Sequence, residues 1–236
     1  MSIAENIQAA QRRIRQAQSR SSSPPKEVRL MAVTKTVEPQ RINEAIAAGI
    51  NLIGENRVQE LLAKYDRLHL DGVEVHLIGH LQRNKVKYII DKVDMIQSVD
   101  SLALAEEIER RAAVCQKVMP VLVEVHMGNE ESKFGVEPQD LPDLLKQMAL
   151  LPHIAVRGLM TVPPPCPDHE QAKKLFSQFY ALFLDIRAQN LHNISMEICS
   201  MGMSGDFEAA VEEGSNLIRL GTALFGARNY QPIKGE

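Results

Sequence analysis

The chain has 236 residues, enough for one large core, and 44% are hydrophobic and 24% charged, as in an ordinary soluble globular domain. A net charge of -3 argues against a nucleic-acid binder, whose footprint is a basic face, and no apolar run approaches the roughly 20 residues of a membrane span. Cys115, Cys166 and Cys199 are odd in number and far apart, which argues against a disulfide framework or a zinc site and fits a reducing, cytoplasmic compartment.

Ile3, Ile7, Ala10 and Ile14 line one face of an amphipathic helix at the N-terminus. Arg12, Arg13, Arg15 and Arg20, with serines at 19 and 21 to 23, also have the composition of a transit peptide; the helix is the reading adopted. Ser21–Pro25 reads as a linker. Eight candidate strands follow: Val28–Thr34, Asn51–Ile53, Val73–Ile78, Met95–Gln97, Val118–Val125, Ile154–Leu159, Ser195–Ile198 and Leu217–Leu220. Helical patterns separate them over Gln40–Ala48, Val58–Leu68, Lys85–Asp91, Leu102–Ala113, Asp140–Leu150, His169–Asn190 and Asp206–Glu213. Such alternation means parallel βαβ units. An open doubly wound sheet has the same alternation, but no G-x-G-x-x-G follows the first strand. The expectation is therefore an α/β fold: a single (β/α)8 TIM-type barrel with an extra N-terminal helix. It would form one domain over 1–236, with 1–25 as helix and linker and 227–236 as a loose tail. Arg83 to Lys87 is a basic cluster that reads as the solvated first turn of a helix.

In such a barrel the chemistry lies at the carboxyl ends of the strands. Lys35 closes the first strand. Its neighbours Val33 and Thr34 offer little water, and desolvation favours the neutral, nucleophilic amine that forms Schiff bases; a lysine snorkelling to solvent would look the same. After the second strand, Asn56 could bond a ligand hydroxyl, although Asn56 and Glu60 also suit helix capping. His80, beside Gly79, could stack on a ring or make a polar contact, or be structural. Lys133, after the fifth strand, could attract an anion or be merely solvated. After the seventh strand comes Ser200-Met201-Gly202-Met203-Ser204-Gly205-Asp206, and after the eighth Gly221-Thr222. Hydroxyls and glycines before a helix suit an anion, and barrels often bind phosphate there; capping of two helices is the alternative. Arg219, inside the last strand, needs a partner, either a core carboxylate or a ligand atom at the mouth.

This combination resembles the fold-type III pyridoxal-phosphate proteins. More closely, the chain resembles the YggS/PROSC family of pyridoxal-phosphate homeostasis proteins. The matching stretches are Ala32–Thr36, Ile53–Glu60, Ile78–Lys85, Glu131–Gly135, Gly158–Pro163, Ser200–Asp206 and Arg219–Arg228, in order along nearly the whole chain. The resemblance implies pyridoxal 5′-phosphate held as a Schiff base on Lys35. It further implies that Ser200, Gly221 and Thr222 hold the phosphate with Met201 and Ser204 close by, that Arg219 faces the pyridine nitrogen, and that Asn56 and His80 line the ring side. Arg57 stands where many members have Tyr, and His80 and Arg83 where some have Pro and Ser, which touches fine pocket contacts only.

The expected role is a cofactor carrier in pyridoxal-phosphate homeostasis, not a committed enzyme, with pyridoxal-phosphate apo-enzymes as recipients and a monomeric state. The alternative is an amino-acid racemase. Racemases of this fold type use a second acid/base, a tyrosine from a partner's extra β-domain, and no such domain is expected after Gly226. Arginine at the ring nitrogen would donate to an unprotonated nitrogen and weaken the electron sink. A third reading is an aldolase that uses Lys35 on a sugar phosphate.

Overall fold

Eight parallel strands close on themselves in chain order, with β8 hydrogen-bonded back to β1. They are β1 (Arg29–Val33), β2 (Leu52–Glu55), β3 (Glu74–Leu77), β4 (Met95–Val99), β5 (Met119–Glu124), β6 (Ile154–Met160), β7 (Ile194–Met203) and β8 (Leu217–Leu220). The computed structural model describes residues 1–22, 24–128, 134–164, 166 and 168–227. The helices are α1 (Ile3–Arg20), α2 (Pro39–Ala47), α3 (Val58–Lys64), α4 (Leu102–Val114), α5 (Leu141–Met148), α6 (His169–Ala188), α7 (Phe207–Glu212) and α8 (Thr222–Phe225). The barrel with an added N-terminal helix is thus the architecture found. No helix among the described residues is long and apolar enough to cross a membrane.

Each strand shows one face to the helices and one to the barrel interior. Outward residues such as Ala32, Ile53, Val75, Val121 and Ile218 join one continuous core with the helices. Inward residues fill the interior: Met31, Val33, Leu52, Ile78 and Leu217 on one side, and Met95, Leu122 and Met160 on the other, with Ile198 touching both groups. This alternation is the period of two that a pleated strand dictates. At Gly158, φ is +152° and an added Cβ would sit 1.9 Å from the Ile198 carbonyl oxygen, so only glycine lets β6 and β7 approach there.

Helix α1 starts with a capping box, Ser2 and Glu5, and buries Ile3, Ile7, Ala10, Ile14 and Ala17. It packs on α2, α7 and α8 across the seam where β8 meets β1. Asn6 donates to the Leu224 carbonyl (2.9 Å), Arg13 pairs with Glu208 and Arg20 with Glu212.

Two helical expectations are corrected. Lys85–Asp91 is no α-helix; Arg83–Tyr88 forms a 3-10 helix with a single buried side chain, Val86. Its bonds run to the third residue back, as from Lys85 N–H to Gln82 (2.9 Å). The helix expected to reach Leu68 ends at Lys64 and tightens into a 3-10 turn over Tyr65–Arg67.

Candidate functional site

Beyond the inward residues Met31 and Val33, at the carboxyl end of β1, Lys35 follows and is half-buried. Lys35 occupies a tight turn closed by Val37 N–H to the Thr34 carbonyl (3.0 Å), with Thr36 in the left-handed region at φ +61°. Across β2, Asn56 is partly buried, and its Oδ1 is enclosed without a hydrogen-bond partner. Gly79 lets the next loop approach, since a Cβ there would meet the Asn56 carbonyl oxygen at 2.3 Å. His80 stacks on Phe134, with ring centroids 3.8 Å apart, and its Nδ1 lies 3.6 Å from Asp100. Lys133 lies outside the described residues.

On the β7–β8 side the expected strand end is corrected. β7 runs on to Met203, so Ser200 and Met201 are strand residues and not part of a loop. Alternation then turns Ser200 into the barrel and Met201 outward into the helix-facing core. Ser204 does reach the mouth: its Oγ accepts the N–H groups of Gly221 and Ala223, each at 3.2 Å. Gly221 caps α8 and lies beside Val33, two residues before Lys35; Thr222 opens α8 and is exposed. Asp206 accepts the Met203 N–H (2.6 Å). Burial raises the Asp206 pKa, opposed by that bond and by Arg219.

Arg219 is buried and points into the barrel. Of the partners expected, a core carboxylate is not what the described residues supply. Its guanidinium donates to Ser200 Oγ and to the Thr161 carbonyl, both at 2.7 Å, and no carboxylate lies within ion-pair distance among the described residues. Burial lowers its pKa to about 10, with Glu124, Asp206 and Cys199 opposing.

A file of side chains missed in the sequence continues from there. Ser200 donates to Gln97 Oε1 (2.8 Å), and Gln97 Nε2 faces His76 Nδ1 (2.8 Å). Because an amide nitrogen only donates, Nδ1 accepts and the imidazole proton sits on Nε2, facing Glu74 (3.3 Å). Glu74 in turn takes Arg29 (2.7 Å). The file runs through side chains of β8, β7, β4 and β3 to Arg29 on β1. Burial lowers the His76 pKa, which keeps the imidazole neutral in this role.

Two more groups end at the mouth on β5. Glu124 is buried, with no ion pair or side-chain hydrogen bond among the described residues. Burial raises its pKa to about 7; Asp100 adds to the rise and Arg219 opposes it. His126 holds Glu137 through Nδ1 (2.7 Å), while its buried Nε2 has no partner. The mouth therefore combines a primary amine, two converging backbone N–H groups, a buried cation and enclosed acceptors without donors. That set suits a small, anionic, carbonyl-bearing ligand.

Residues 6–229 match the family described as alanine racemase, N-terminal domain. The pyridoxal phosphate homeostasis protein of Aquifex aeolicus is 41% identical over 98% of this chain and 100% of its own. The chain belongs to the pyridoxal phosphate homeostasis protein family. PipY of Synechococcus elongatus, solved with pyridoxal phosphate bound, is 35% identical, with a TM-score of 0.84 over 95% of this chain and 100% of its own. An alanine racemase of Clostridium difficile, 14% identical with a TM-score of 0.74, shares the fold; this chain spans 58% of it.

Proposed function

We propose that this protein is a pyridoxal 5′-phosphate carrier, which holds the cofactor covalently on Lys35 and hands it to pyridoxal-phosphate apo-enzymes in the cytoplasm. The observation that carries this reading is the convergence of the Gly221 and Ala223 N–H groups on one oxygen, beside Val33 at the end of β1, two residues before Lys35. A phosphate oxygen is an acceptor of the same kind as the Ser204 hydroxyl now there. When bound, the cofactor supplies an aldehyde that condenses with a primary amine.

The chain's own residues divide the binding. Lys35 contributes the amine. Gly221, Thr222 and Ser204 hold the phosphate, with Ser200 steadying Arg219 and Met201 closing the core behind. Arg219 donates toward the ring nitrogen and keeps it unprotonated, since guanidinium does not surrender its proton at ordinary pH. Asn56 Oδ1 receives a donor from the ligand, and His80 borders the ring side. Release follows when an incoming amine displaces Lys35. One barrel domain, acting as a monomer, suffices for this role.

The carrier role is supported by the naming of the relatives and by the tyrosines. Tyr65 and Tyr180 sit among the outer helices and Tyr88 on the exposed 3-10 helix. Tyr230 lies outside the described residues. Racemisation is the second reading, and one observation favours it: Glu124 is a buried carboxyl at the mouth whose pKa of about 7 suits proton transfer. The test is to mix cofactor-loaded protein with an apo-enzyme and, separately, with L-alanine. Activation of the apo-enzyme without formation of D-alanine is expected. Inversion with enzyme-like turnover, lost in Glu124→Gln, would replace the carrier reading by the racemase one.

A further inference from the structure

The turn that presents Lys35 is built against its own preferences. In a four-residue turn with positive φ at the third residue, that place belongs to glycine or asparagine. Here it is Thr36, a β-branched residue, at φ +61°. Such a conformation persists only when surrounding bonds over-determine it.

Those bonds come from α3. Glu60 holds the third position of that helix, where a capping-box carboxylate would turn back to the backbone at Arg57. Instead its Oε1 accepts the Thr36 N–H and, at 2.6 Å, the Lys64 ammonium one helical turn later. Lys64 also donates to the Thr34 carbonyl (2.8 Å) and to Glu55 Oε1 (2.9 Å). Glu55 accepts the Thr34 hydroxyl at 2.6 Å. Both flanks of Lys35 are therefore tied to one buried ammonium and its two carboxylates. Glu55 is fully buried, and its second oxygen has no partner. Lys64 is buried too, which is rare for a lysine on a surface helix. A helix needs none of this for its own stability.

We propose that Glu60 and Lys64 are positioning residues for Lys35: they hold the strained Thr34–Val37 turn so that the amine stays directed into the barrel mouth. The inference rests on Lys35 being the cofactor-bearing amine, as proposed above. It assigns Glu60 a function beyond the helix cap, and gives Glu55 and Lys64 roles the cofactor pocket does not need. The two carboxylates and the ammonium act on the backbone either side of Lys35 and not on the ligand.

The experiment compares wild type with Glu60→Ala, which removes the acceptor, and Glu60→Gln, which keeps a neutral one. Two readouts are taken: hydrogen exchange at the Thr36 amide in cofactor-free protein, and the rate of borohydride-trapped pyridoxal phosphate at Lys35, by peptide mass spectrometry. E60A is expected to lose Thr36 protection and to label Lys35 about tenfold more slowly, as misplacement of a reacting group does. E60Q is expected to restore most of both, and both readouts are taken at a temperature where the melting curves show all three proteins folded, so that loss of positioning is read apart from loss of fold. Label on Lys35 at one rate in wild type and E60A would overturn the positioning role while leaving the carrier reading intact. Absence of label in wild type would sink the carrier reading itself, and the positioning role with it. Unchanged Thr36 exchange in E60A would overturn the clamp on its own.

Discussion

Two buried carboxylates show how differently this molecule treats its two working regions. Glu212, on α7 under the N-terminal helix, is 5% exposed at its side chain and has Arg20 at 2.6 Å, His169 at 3.2 Å and Lys173 at 3.3 Å. Glu124, at the barrel mouth, is as deeply buried and is left without such partners among the described residues. For Glu212, burial works to raise the pKa, but the bonds from Arg20, His169 and Lys173 outweigh it and lower it. For Glu124, burial prevails. The seat of α1 is completed for stability, whereas the mouth keeps polar groups in need of a partner. Asn56 Oδ1 and His126 Nε2 belong to the same unsatisfied set. Polar atoms left unpaired inside a fold cost stability, and binding sites are where that cost is tolerated.

The contrast can be broken by mutation, and the larger effect is expected at the mouth. Glu124 has an ordinary value of 4.5 and a folded one of about 7, so between them the folded state holds a proton that the unfolded chain releases. Stability therefore falls as pH rises through that window. Glu124→Gln should be more stable than wild type by up to about 3 kcal/mol at about pH 8, with the gap closing toward about pH 5. Urea titration at both pH values measures it; an equal gap at both would show that Glu124 does not carry the proton. Glu212→Ala should do the reverse. It should lose roughly 2 kcal/mol at neutral pH, because Arg20 and Lys173 lose their shared carboxylate and His169 loses a hydrogen-bond partner. The lowered pKa means this stabilisation is present above the ordinary carboxylate value and fades as pH falls below it. A thermal melt of Glu212→Ala that matches wild type at neutral pH would remove the contrast.

The barrel was readable because its strands are short β-branched runs separated by helices with clear apolar faces. Lys35 and Arg219 were readable for a related reason: a lysine closing an apolar strand and an arginine inside one are both out of place. Glycine and serine misled at Ser200 and Met201. Gly202 suggests a loop, yet β7 passes through it at φ +94° with a register shift, pairing with β8 on either side at Ser200 and Met203. The interior file was not readable, since His76 and Gln97 become neighbours only when β3 and β4 pair and both turn inward. A weak signal existed: polar residues at inward positions of otherwise apolar strands. Lys64 looked like any helix-surface lysine, because nothing local says that α3 turns it under the β1 turn.

The central claim is that Lys35 carries the cofactor. The direct measurement is to add pyridoxal phosphate to purified protein, record the visible spectrum, reduce with borohydride and map the modified peptide. The account predicts a yellow protein with the label on Lys35, and a colourless Lys35→Ala. Label scattered over surface lysines, or a yellow Lys35→Ala, would contradict it.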